Sequence, residues 1–211
     1  MSDNVMGYSD LLMDHFSSPR NILKVKEEEY GADGVGSVGN PTCGDMMKVW
    51  IKVDKDSERI KDLKWKTFGC ASAIASTSIM SEMVTEEAGM TMEQALALKP
   101  KDIMARLGGL PAIKIHCSVL GDKALRAAIH DYFEKTGQKE RILEQEAKVV
   151  CKCLNVTDHE IEEWVLEGAR DFETLQEKCK ISTGCGNCRP DAERIFQGYL
   201  NKYFTDAERN N

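Results

Sequence analysis

Alternating apolar and polar positions predict two adjacent β-strands in the N-terminal half of the chain. Residues 46–53 alternate with a period of two, and residues 63–67 do the same after a polar stretch at 54–59. A period of two is typical of strands with one buried face, and the polar stretch predicts a turn between them. We therefore expect an antiparallel hairpin with one solvated face.

Helical spacing of apolar residues predicts the elements around this hairpin. It occurs in segments 8–16, 71–88, 91–98, 101–107 and 118–133. Pro19 ends the first segment and Pro100 separates the third from the fourth, since proline cannot continue a helix. His15 lies in the first segment, where we expect a partly buried helix residue and not a metal ligand.

A glycine-rich stretch at residues 31–42 is expected to form a mobile loop. Within it, Gly34–Gly39 matches the dinucleotide fingerprint G-x-G-x-x-G. That motif needs a strand before it and a helix after it. Acidic residues precede this stretch and Asn40-Pro41 follows it, so we reject a nucleotide site.

The C-terminal part reads as a separate helical unit. Charged residues 138–148 are expected to connect a first domain at 1–137 to a second at 149–205. Thr157 and Glu160 form a capping-box pattern that opens a helix, and a second helix is expected near 171–180. Pro190 suits the first turn of a last helix that reaches Tyr203. So small an all-α domain would gain much of its stability from a metal.

Composition excludes several classes of function, although it says little about the fold. The chain has 211 residues, a net charge of −7 and a pI of about 5.2, which argue against a nucleic-acid partner. No apolar run approaches the roughly 18 residues of a membrane span, and the N-terminus lacks a secretory pattern. We expect a cytoplasmic protein without a membrane partner. Eight cysteines in such a chain favour metal binding over a disulfide framework.

Four C-terminal cysteines give the more specific metal signal. They follow the pattern C-x-C, then 31 residues, then C-x-x-C, and they are Cys151, Cys153, Cys185 and Cys188. Four thiolates suit either zinc or an iron–sulfur cluster. Cys179 lies outside the pairs and is expected to be a small core residue of its helix.

Three N-terminal cysteines are expected to converge on a second site. Cys43 precedes the first strand and Cys70 follows the second, so antiparallel pairing brings these two ends together. Cys117 is expected at the start of the long helix, where the positive field favours a thiolate. The nearby harder ligand is Asp45, His116 or both, and the sequence does not fix which. A mixed ligand set of this kind should release its metal more easily than four thiolates.

These stretches resemble the IscU/NifU type of iron–sulfur cluster assembly scaffold. The residues that carry the resemblance are Tyr8-Ser9, Asp14-His15-Phe16, Pro19-Arg20-Asn21, Asn40-Pro41-Thr42-Cys43-Gly44-Asp45, Phe68-Gly69-Cys70-Ala71-Ser72-Ala73 and Lys114-Ile115-His116-Cys117-Ser118. Their order and spacing agree over nearly all of residues 5–135. Residues 149–200 are similar to the bacterioferritin-associated-ferredoxin-like [2Fe-2S] module found in the middle of NifU.

The resemblance implies an α+β first domain, with a small antiparallel sheet covered by helices, and a compact all-α [2Fe-2S] second domain. Cys43, Cys70 and Cys117 would be the scaffold thiolates, Asp45 the carboxylate that tunes cluster lability, and His116 a further ligand. The four C-terminal cysteines would hold a permanent [2Fe-2S] cluster. The first domain would carry a transient [2Fe-2S] or [4Fe-4S] cluster, or its metal alone.

The implied function is that of a scaffold and not an enzyme. A cysteine desulfurase would supply sulfur, an electron donor would reduce it, and apo iron–sulfur proteins would receive the cluster. Neither the recipients nor a homodimer is fixed by the sequence. The chaperone element of the family reads L-P-P-V-K, and residues 110–114 read Leu-Pro-Ala-Ile-Lys, which weakens the case for an Hsp70-type partner. NifU carries a further C-x-x-C module that the 211 residues lack, and its cluster site is expected to be absent.

Two other functions compete with the scaffold. In the first, Cys43, Asp45, Cys70 and Cys117 hold zinc and one thiolate accepts sulfur from a desulfurase. The zinc-dependent SufU-type relatives lack a histidine beside the third cysteine, and they carry an insertion before it. Here His116 is present and only 46 residues separate Cys70 from Cys117. In the second, the chain is a simple [2Fe-2S] electron carrier, which leaves the N-terminal cysteines unexplained.

Overall fold

The computed structural model describes residues 9–39, 46–108, 115–142 and 147–204, and the side chains of 115–118 are not described. The chain divides into two compact units, Met1–Leu143 and Glu144–Asn211. The predicted limits of the connecting segment, residues 138 and 148, stay a prediction.

The first unit is a mixed helix and strand domain, as expected. Its helices are α1 (Asp10–Ser17), α2 (Glu27–Tyr30), α3 (Ala71–Thr85), α4 (Met92–Ala97), α5 (Pro100–Arg106) and α6 (Ile115–Lys135), with a 3-10 turn at Lys139–Arg141. Its strands are β1 (Gly34–Gly39), β2 (Met46–Asp54) and β3 (Arg59–Thr67), which form one antiparallel sheet in the order β1-β2-β3. The predicted hairpin of β2 and β3 is confirmed, and Pro100 begins α5.

The glycine-rich stretch predicted as a mobile loop is instead the edge strand β1, paired along its length with β2. Helix α6 lies directly against it. A Cβ atom on Gly34 would come within 2.2 Å of the Ala128 carbonyl oxygen, and one on Gly36 within 2.1 Å of the Ala124 oxygen. Contacts under 3 Å do not occur for real Cβ atoms. The glycines are there because the helix backbone occupies the space of a side chain.

One face of the sheet packs on α3 and α6 and forms the main core, which includes Met47, Val49, Ile51, Leu63 and Trp65. The alternation predicted that the other face is solvated, but part of that face is covered. Trp50 is only 1% exposed on that face, because Leu23 and Tyr30 cover it. The Tyr30 hydroxyl is tied to the sheet by donating to Asp62 at 3.0 Å.

His15 is buried between α1 and α3, more deeply than the partly buried position predicted. It is 1% exposed, its Nδ1 lies 2.8 Å from the Ser78 hydroxyl, and its Nε2 lies 3.6 Å from a Glu82 carboxylate oxygen. Burial lowers the pKa of His15 below its usual 6.5, and the charge of Arg20 lowers it further. The carboxylates of Glu82 and Asp14 oppose these effects without reversing them.

Acidification is therefore expected to destabilise the first unit through His15. The unfolded chain takes up a proton near pH 6.5 that the folded chain resists, so this contribution to stability is present above pH 6.5 and is lost as the pH falls below it. Melting temperatures measured from about pH 7.5 to about pH 5.5 should fall less steeply in His15→Gln than in wild type. The exposed His159→Gln is the control, and a His15→Gln curve parallel to wild type would contradict the assignment.

Arg141 ties the end of the first unit to its body. Its guanidinium donates to Glu58 at 2.9 Å, bonds Glu93, and stacks over the Phe133 ring at 4.3 Å from the centroid. The next residue, Ile142, packs against the main core. These contacts join the 3-10 turn to the β2–β3 turn, to α4 and to α6.

Replacing Arg141 by alanine should release this segment locally without unfolding the unit. Partly exposed ion pairs contribute about 0.2–1 kcal/mol each, so local opening should become several-fold more frequent. Thermolysin cleavage on the N-terminal side of Ile142 is expected to accelerate accordingly, while Lys139→Ala should cleave like wild type. An unchanged cleavage rate in Arg141→Ala would show that the ion pairs do not hold the segment.

The second unit is helical with one short ribbon. It contains β4 (Val149–Cys151), β5 (Val156–Thr157), α7 (Asp158–Leu166), α8 (Phe172–Cys179) and α9 (Arg189–Tyr203). The predicted capping box is confirmed: Glu160 N–H donates to Thr157 Oγ1 and Thr157 N–H to the Glu160 carboxylate. The antiparallel β4–β5 pair was not predicted, because strands of three and two residues are too short to show an alternation. The described core includes Ile161, Val165, Leu175, Ala192, Phe196 and Leu200.

Candidate metal centres

The ends of β2 and β3 meet where the N-terminal site was predicted. The Phe68 N–H donates to the Met46 carbonyl at 3.2 Å, and the Thr67 hydroxyl donates to the same carbonyl at 2.6 Å. Cys70 follows two residues after Phe68. Cys43 and Asp45 lie outside the described residues, so their positions relative to Cys70 stay a prediction.

Cys70 occupies the N-cap position of α3. Its backbone is extended, with φ −69° and ψ 171°, and its carbonyl accepts the first bond of the helix from Ile74. The side chain is half-buried and packs against the main core. A sulfur atom in this position lies in the positive field of the first helical turn, which favours the thiolate form.

Helix α6 begins at Ile115, about one turn earlier than the predicted start near Ser118. His116 and Cys117 therefore lie in its first turn, although their side chains are outside the described set. Gly36 faces Ala124 while Gly34 faces Ala128 and Tyr132, so α6 runs antiparallel to β1 and parallel to β2. Its first turn consequently lies at the end of the sheet where β2 begins and β3 ends.

Three elements that carry predicted ligands thus share one end of the sheet: the start of β2, the start of α3 and the first turn of α6. The sequence had anticipated the first two from antiparallel pairing. The third depends on the packing of α6 along β1, which the sequence did not reveal because β1 was predicted to be a loop. Close packing of α3 on α6 adds to this, since a Cβ on Gly121 would lie 3.1 Å from the Thr77 hydroxyl.

The two C-terminal cysteine pairs come together at one place. Cys151 Sγ lies 3.7 Å from Cys153 Sγ, and Cys153 Sγ lies 3.7 Å from Cys185 Sγ. Cys188 is anchored beside them by a 3.0 Å contact between its Sγ and the Ser182 hydroxyl. Cys151 is fully buried, whereas Cys153 and Cys185 are exposed. Cys179 is separate, and its thiol donates to the Leu175 carbonyl at 3.2 Å.

These sulfur separations fit thiolates that share a tetrahedral metal. Two sulfurs bound at about 2.3 Å to one tetrahedral ion are about 3.8 Å apart. No group of three or more His, Cys, Asp or Glu side chains in the described ranges is arranged around a single ion. A [2Fe-2S] cluster needs two thiolates on each of two irons, and the donor set of four cysteines fits that requirement.

Hydrogen bonds from the two loops lower the pKa of the Cys151 thiol. Burial raises the pKa of its thiol, but hydrogen bonds from the Ser182 backbone N–H, the Cys188 thiol and the Leu154 N–H outweigh burial and bring the pKa to about 7. The Cys185 N–H lowers the pKa of Cys153, yet hydrogen bonds with the neighbouring Cys151 and Cys185 thiols raise it overall. When one of these adjacent thiols is ionised, its neighbour is harder to ionise. A cation shared between them would allow both to be thiolates.

Three residues of the same loops adopt a left-handed backbone conformation. Asn155, Lys180 and Ser182 adopt left-handed φ values of 54°, 59° and 61°. Gly184 permits close approach, since a Cβ there would lie 3.1 Å from Cys153 Sγ. Such conformations are held only where the surrounding structure requires them, and they are common at binding sites. Ser182 was not among the predicted site residues, because a serine before a C-x-x-C motif carries no distinctive pattern.

Fold and sites together describe a cysteine-rich protein of two units, with one candidate metal site at the end of a sheet and one between two loops. Its sequence matches the family described as "NifU-like N terminal domain" over residues 7–139, and the chain belongs to that family. Residues 149–198 match the family described as "BFD-like [2Fe-2S] binding domain".

Several curated proteins are similar over long stretches. The iron-sulfur cluster assembly scaffold protein IscU 1 of Archaeoglobus fulgidus is 51% identical over 137 residues, which cover 65% of this chain and 84% of that protein. IscU of Aquifex aeolicus is 42% identical over 168 residues, covering 80% and 96%. The nitrogen fixation protein NifU of a Nostoc species is 39% identical over 197 residues, covering 90% of this chain but 63% of NifU. No helix in the described ranges has the length and apolar character to cross a bilayer.

Proposed function

We propose that this chain is an iron–sulfur cluster assembly scaffold that also carries a permanent [2Fe-2S] cluster, and that it is not an enzyme. The observation that carries the proposal is the meeting of the β2 start, Cys70 and the first turn of α6 at one end of the sheet. This arrangement occurs in a chain of the NifU-like family, and similar proteins are named as cluster assembly scaffolds.

In the first unit, Cys43, Cys70 and Cys117 would bind the cluster under assembly, with Asp45 or His116 as the fourth ligand. A cysteine desulfurase would pass sulfur to one thiolate as a persulfide. We favour Cys117, because it belongs to the first turn of α6 and a helix start favours a thiolate. Two electrons reduce the outer sulfur as the S–S bond breaks, which yields sulfide for assembly with iron. The cluster then leaves for an apo-protein.

Release would be favoured by the mixed ligand set. An oxygen or imidazole ligand in place of a fourth thiolate lowers the sulfur content of the site and weakens its hold on iron. Asp45 is the residue proposed to provide this lability. The other members of the site would position the cluster, since Cys70 is fixed by α3 and Cys117 by α6.

Replacing Asp45 by alanine is therefore expected to prolong the life of the cluster on the first unit. Transfer to an apo-ferredoxin should slow by about tenfold or more, because a labile ligand has been removed. The decay of circular dichroism from the donor measures transfer, and Asp45→Glu, which keeps a carboxylate, is the control. Transfer at the wild-type rate in Asp45→Ala would refute this role.

In the second unit, Cys151, Cys153, Cys185 and Cys188 would hold the permanent cluster. A bound [2Fe-2S] cluster supplies one-electron transfer. The protein side chains fix the four thiolates, with Ser182 positioning Cys188 and the loop N–H groups stabilising the charge on Cys151. The electrons needed to reduce persulfide sulfur would come through this unit from an external donor.

Metal analysis of the anaerobically purified chain tests the proposal. We expect about two irons and two sulfides per chain, increasing after addition of a cysteine desulfurase, cysteine and iron, and decreasing when an apo-acceptor is added. Zinc in the first unit with no gain on reconstitution would point to a zinc-bound sulfur acceptor. Two irons that never change would indicate a simple electron carrier.

The partners that follow from this function are a cysteine desulfurase, an electron donor and apo iron–sulfur proteins. Assembly in the cytoplasm and self-association as a homodimer belong to the same proposal. Size-exclusion chromatography with light scattering, before and after cluster loading, measures the self-association.

A further inference from the structure

The two cysteine-bearing loops of the second unit concentrate positive charge in an otherwise acidic unit. Residues 148–155 and 180–189 contain no acidic side chain and four basic ones, namely Lys148, Lys152, Lys180 and Arg189. The rest of residues 147–204 contains ten acidic and four basic side chains. Charge segregated in this way produces a local positive field that the net charge of the chain does not reveal.

Two of these lysines, Lys152 and Lys180, form what we call the lysine rim. Lys152 lies between Cys151 and Cys153, and Lys180 caps α8 at the start of the second loop. Both side chains are exposed, and among the described residues neither has an ion-pair partner within 4 Å. Arg189 differs, because it donates to Glu193 at 2.7 Å and its charge is partly compensated.

The two cysteine-bearing loops that carry the lysine rim are suited to brief contact with a protein. Cys153 and Cys185 are exposed with their sulfurs 3.7 Å apart. Two apolar side chains are exposed on the first loop, Leu154 at 41% and Val149 at 47%. Exposed apolar side chains on loops that also carry positive charge suit a weak electron-transfer interface, in which complementary charge speeds association more than it strengthens binding.

We propose that the lysine rim docks an acidic electron-carrier protein, which delivers single electrons to the cluster of the second unit. This inference rests on the proposed [2Fe-2S] occupancy of that unit. One electron leaves the reduced carrier and enters the oxidised cluster, with no bond made or broken and no proton required. The charges favour an acidic protein over a nucleic acid, because a few lysines on an otherwise acidic unit cannot follow a phosphate backbone.

The test is stopped-flow reduction of the full-length, cluster-loaded chain by a reduced acidic plant-type [2Fe-2S] ferredoxin. In the variant Lys152→Gln/Lys180→Gln the second-order rate constant should fall about tenfold at an ionic strength near 0.02 M, since steering depends on the local charge. The rates of wild type and variant should converge at an ionic strength near 0.5 M, because salt then screens charges that are more than a few ångströms apart.

A matched control changes the net charge equally but elsewhere. Gln197→Glu/Asn201→Asp also makes the chain more negative by two charges, at exposed positions on α9. These residues lie about 13 Å and 19 Å along the helix from Cys188 at a rise of 1.5 Å per residue. We expect this variant to react with ferredoxin nearly as fast as wild type. An equal loss of rate in the control would assign the effect to net charge and overturn the proposal.

Two further measurements separate the possible failures. Reduced methyl viologen is a small cation that needs no docking, and it should reduce wild type and both variants at similar rates. If it reduces none of them, the unit has no redox-active cluster and the proposed function of that unit fails first. Carbodiimide cross-linking should join ferredoxin carboxylates to Lys152 or Lys180. Reduction by ferredoxin that is unchanged in Lys152→Gln/Lys180→Gln, with cross-links elsewhere, would overturn the docking surface itself.

Discussion

Replacing Gly36 by valine is expected to unfold or severely destabilise the first unit. A Cβ at this position would lie 2.1 Å from the Ala124 carbonyl oxygen and 2.4 Å from the Ala128 nitrogen. Both atoms belong to the backbone of α6, so no side-chain rotation can relieve the overlap. Overpacking normally costs about 1–3 kcal/mol and more where nothing can move, and we expect at least about 3 kcal/mol here.

Urea unfolding followed by tryptophan fluorescence measures this loss, because Trp50 and Trp65 are buried in the first unit. Ser37→Val is the matched control, since Ser37 lies on the same strand with its side chain exposed. It should retain the wild-type free energy of unfolding within about 0.5 kcal/mol. Gly36→Ala gives an intermediate case if Gly36→Val yields no folded protein. Equal stability of Gly36→Ala and wild type would show that α6 does not lie where we describe it.

Replacing Cys151 by serine is expected to remove the cluster of the second unit and to melt the unit itself. Cys151 is fully buried, and its thiol is held by hydrogen bonds from both loops. Its loss would leave three thiolates for two irons and a hydroxyl where the site needs a soft charged ligand. Small metal-binding units gain much of their folding free energy from the metal. A second unit that no longer binds its cluster is therefore expected to unfold at a lower temperature.

Visible absorption and iron content measure the cluster, and Trp164 fluorescence reports on the fold of the unit that holds it. The expected result is a loss of about two irons per chain together with a lower melting temperature. Cys179→Ser is the matched control, because Cys179 belongs to the same unit and bonds the Leu175 carbonyl instead of the site. If Cys151→Ser kept its iron and absorption, Cys151 would not be a ligand.

Elements with a clear period were predictable from sequence. The β2–β3 hairpin follows from strict alternation, and the capping box at Thr157 and Glu160 marks the start of α7. The pairing of the C-terminal cysteines was also predictable, because C-x-C and C-x-x-C spacings put two sulfurs within reach of one metal. In each case the information is local, so no distant contact was needed to interpret it.

Elements determined by distant contacts were missed. Gly34 and Gly36 look like loop residues by intrinsic preference, and only the approach of α6 explains why the strand needs them. Trp50 was assigned to a solvated face because nothing near it in sequence indicates that Tyr30 covers it. Ser182 gained its role from a loop conformation with positive φ, which serine adopts only when tertiary structure imposes it.

The glycine-rich edge strand also has a consequence for the order of folding. β1 has little intrinsic tendency to form a strand, and the contacts of Gly34 and Gly36 with α6 join residues that are 88 to 98 positions apart in the sequence. Contacts between residues so distant in sequence form late, because closing the intervening chain costs entropy. During synthesis on the ribosome, the edge strand β1 must therefore wait until α6 has emerged, and the end of the sheet where cysteine-bearing elements meet is completed last.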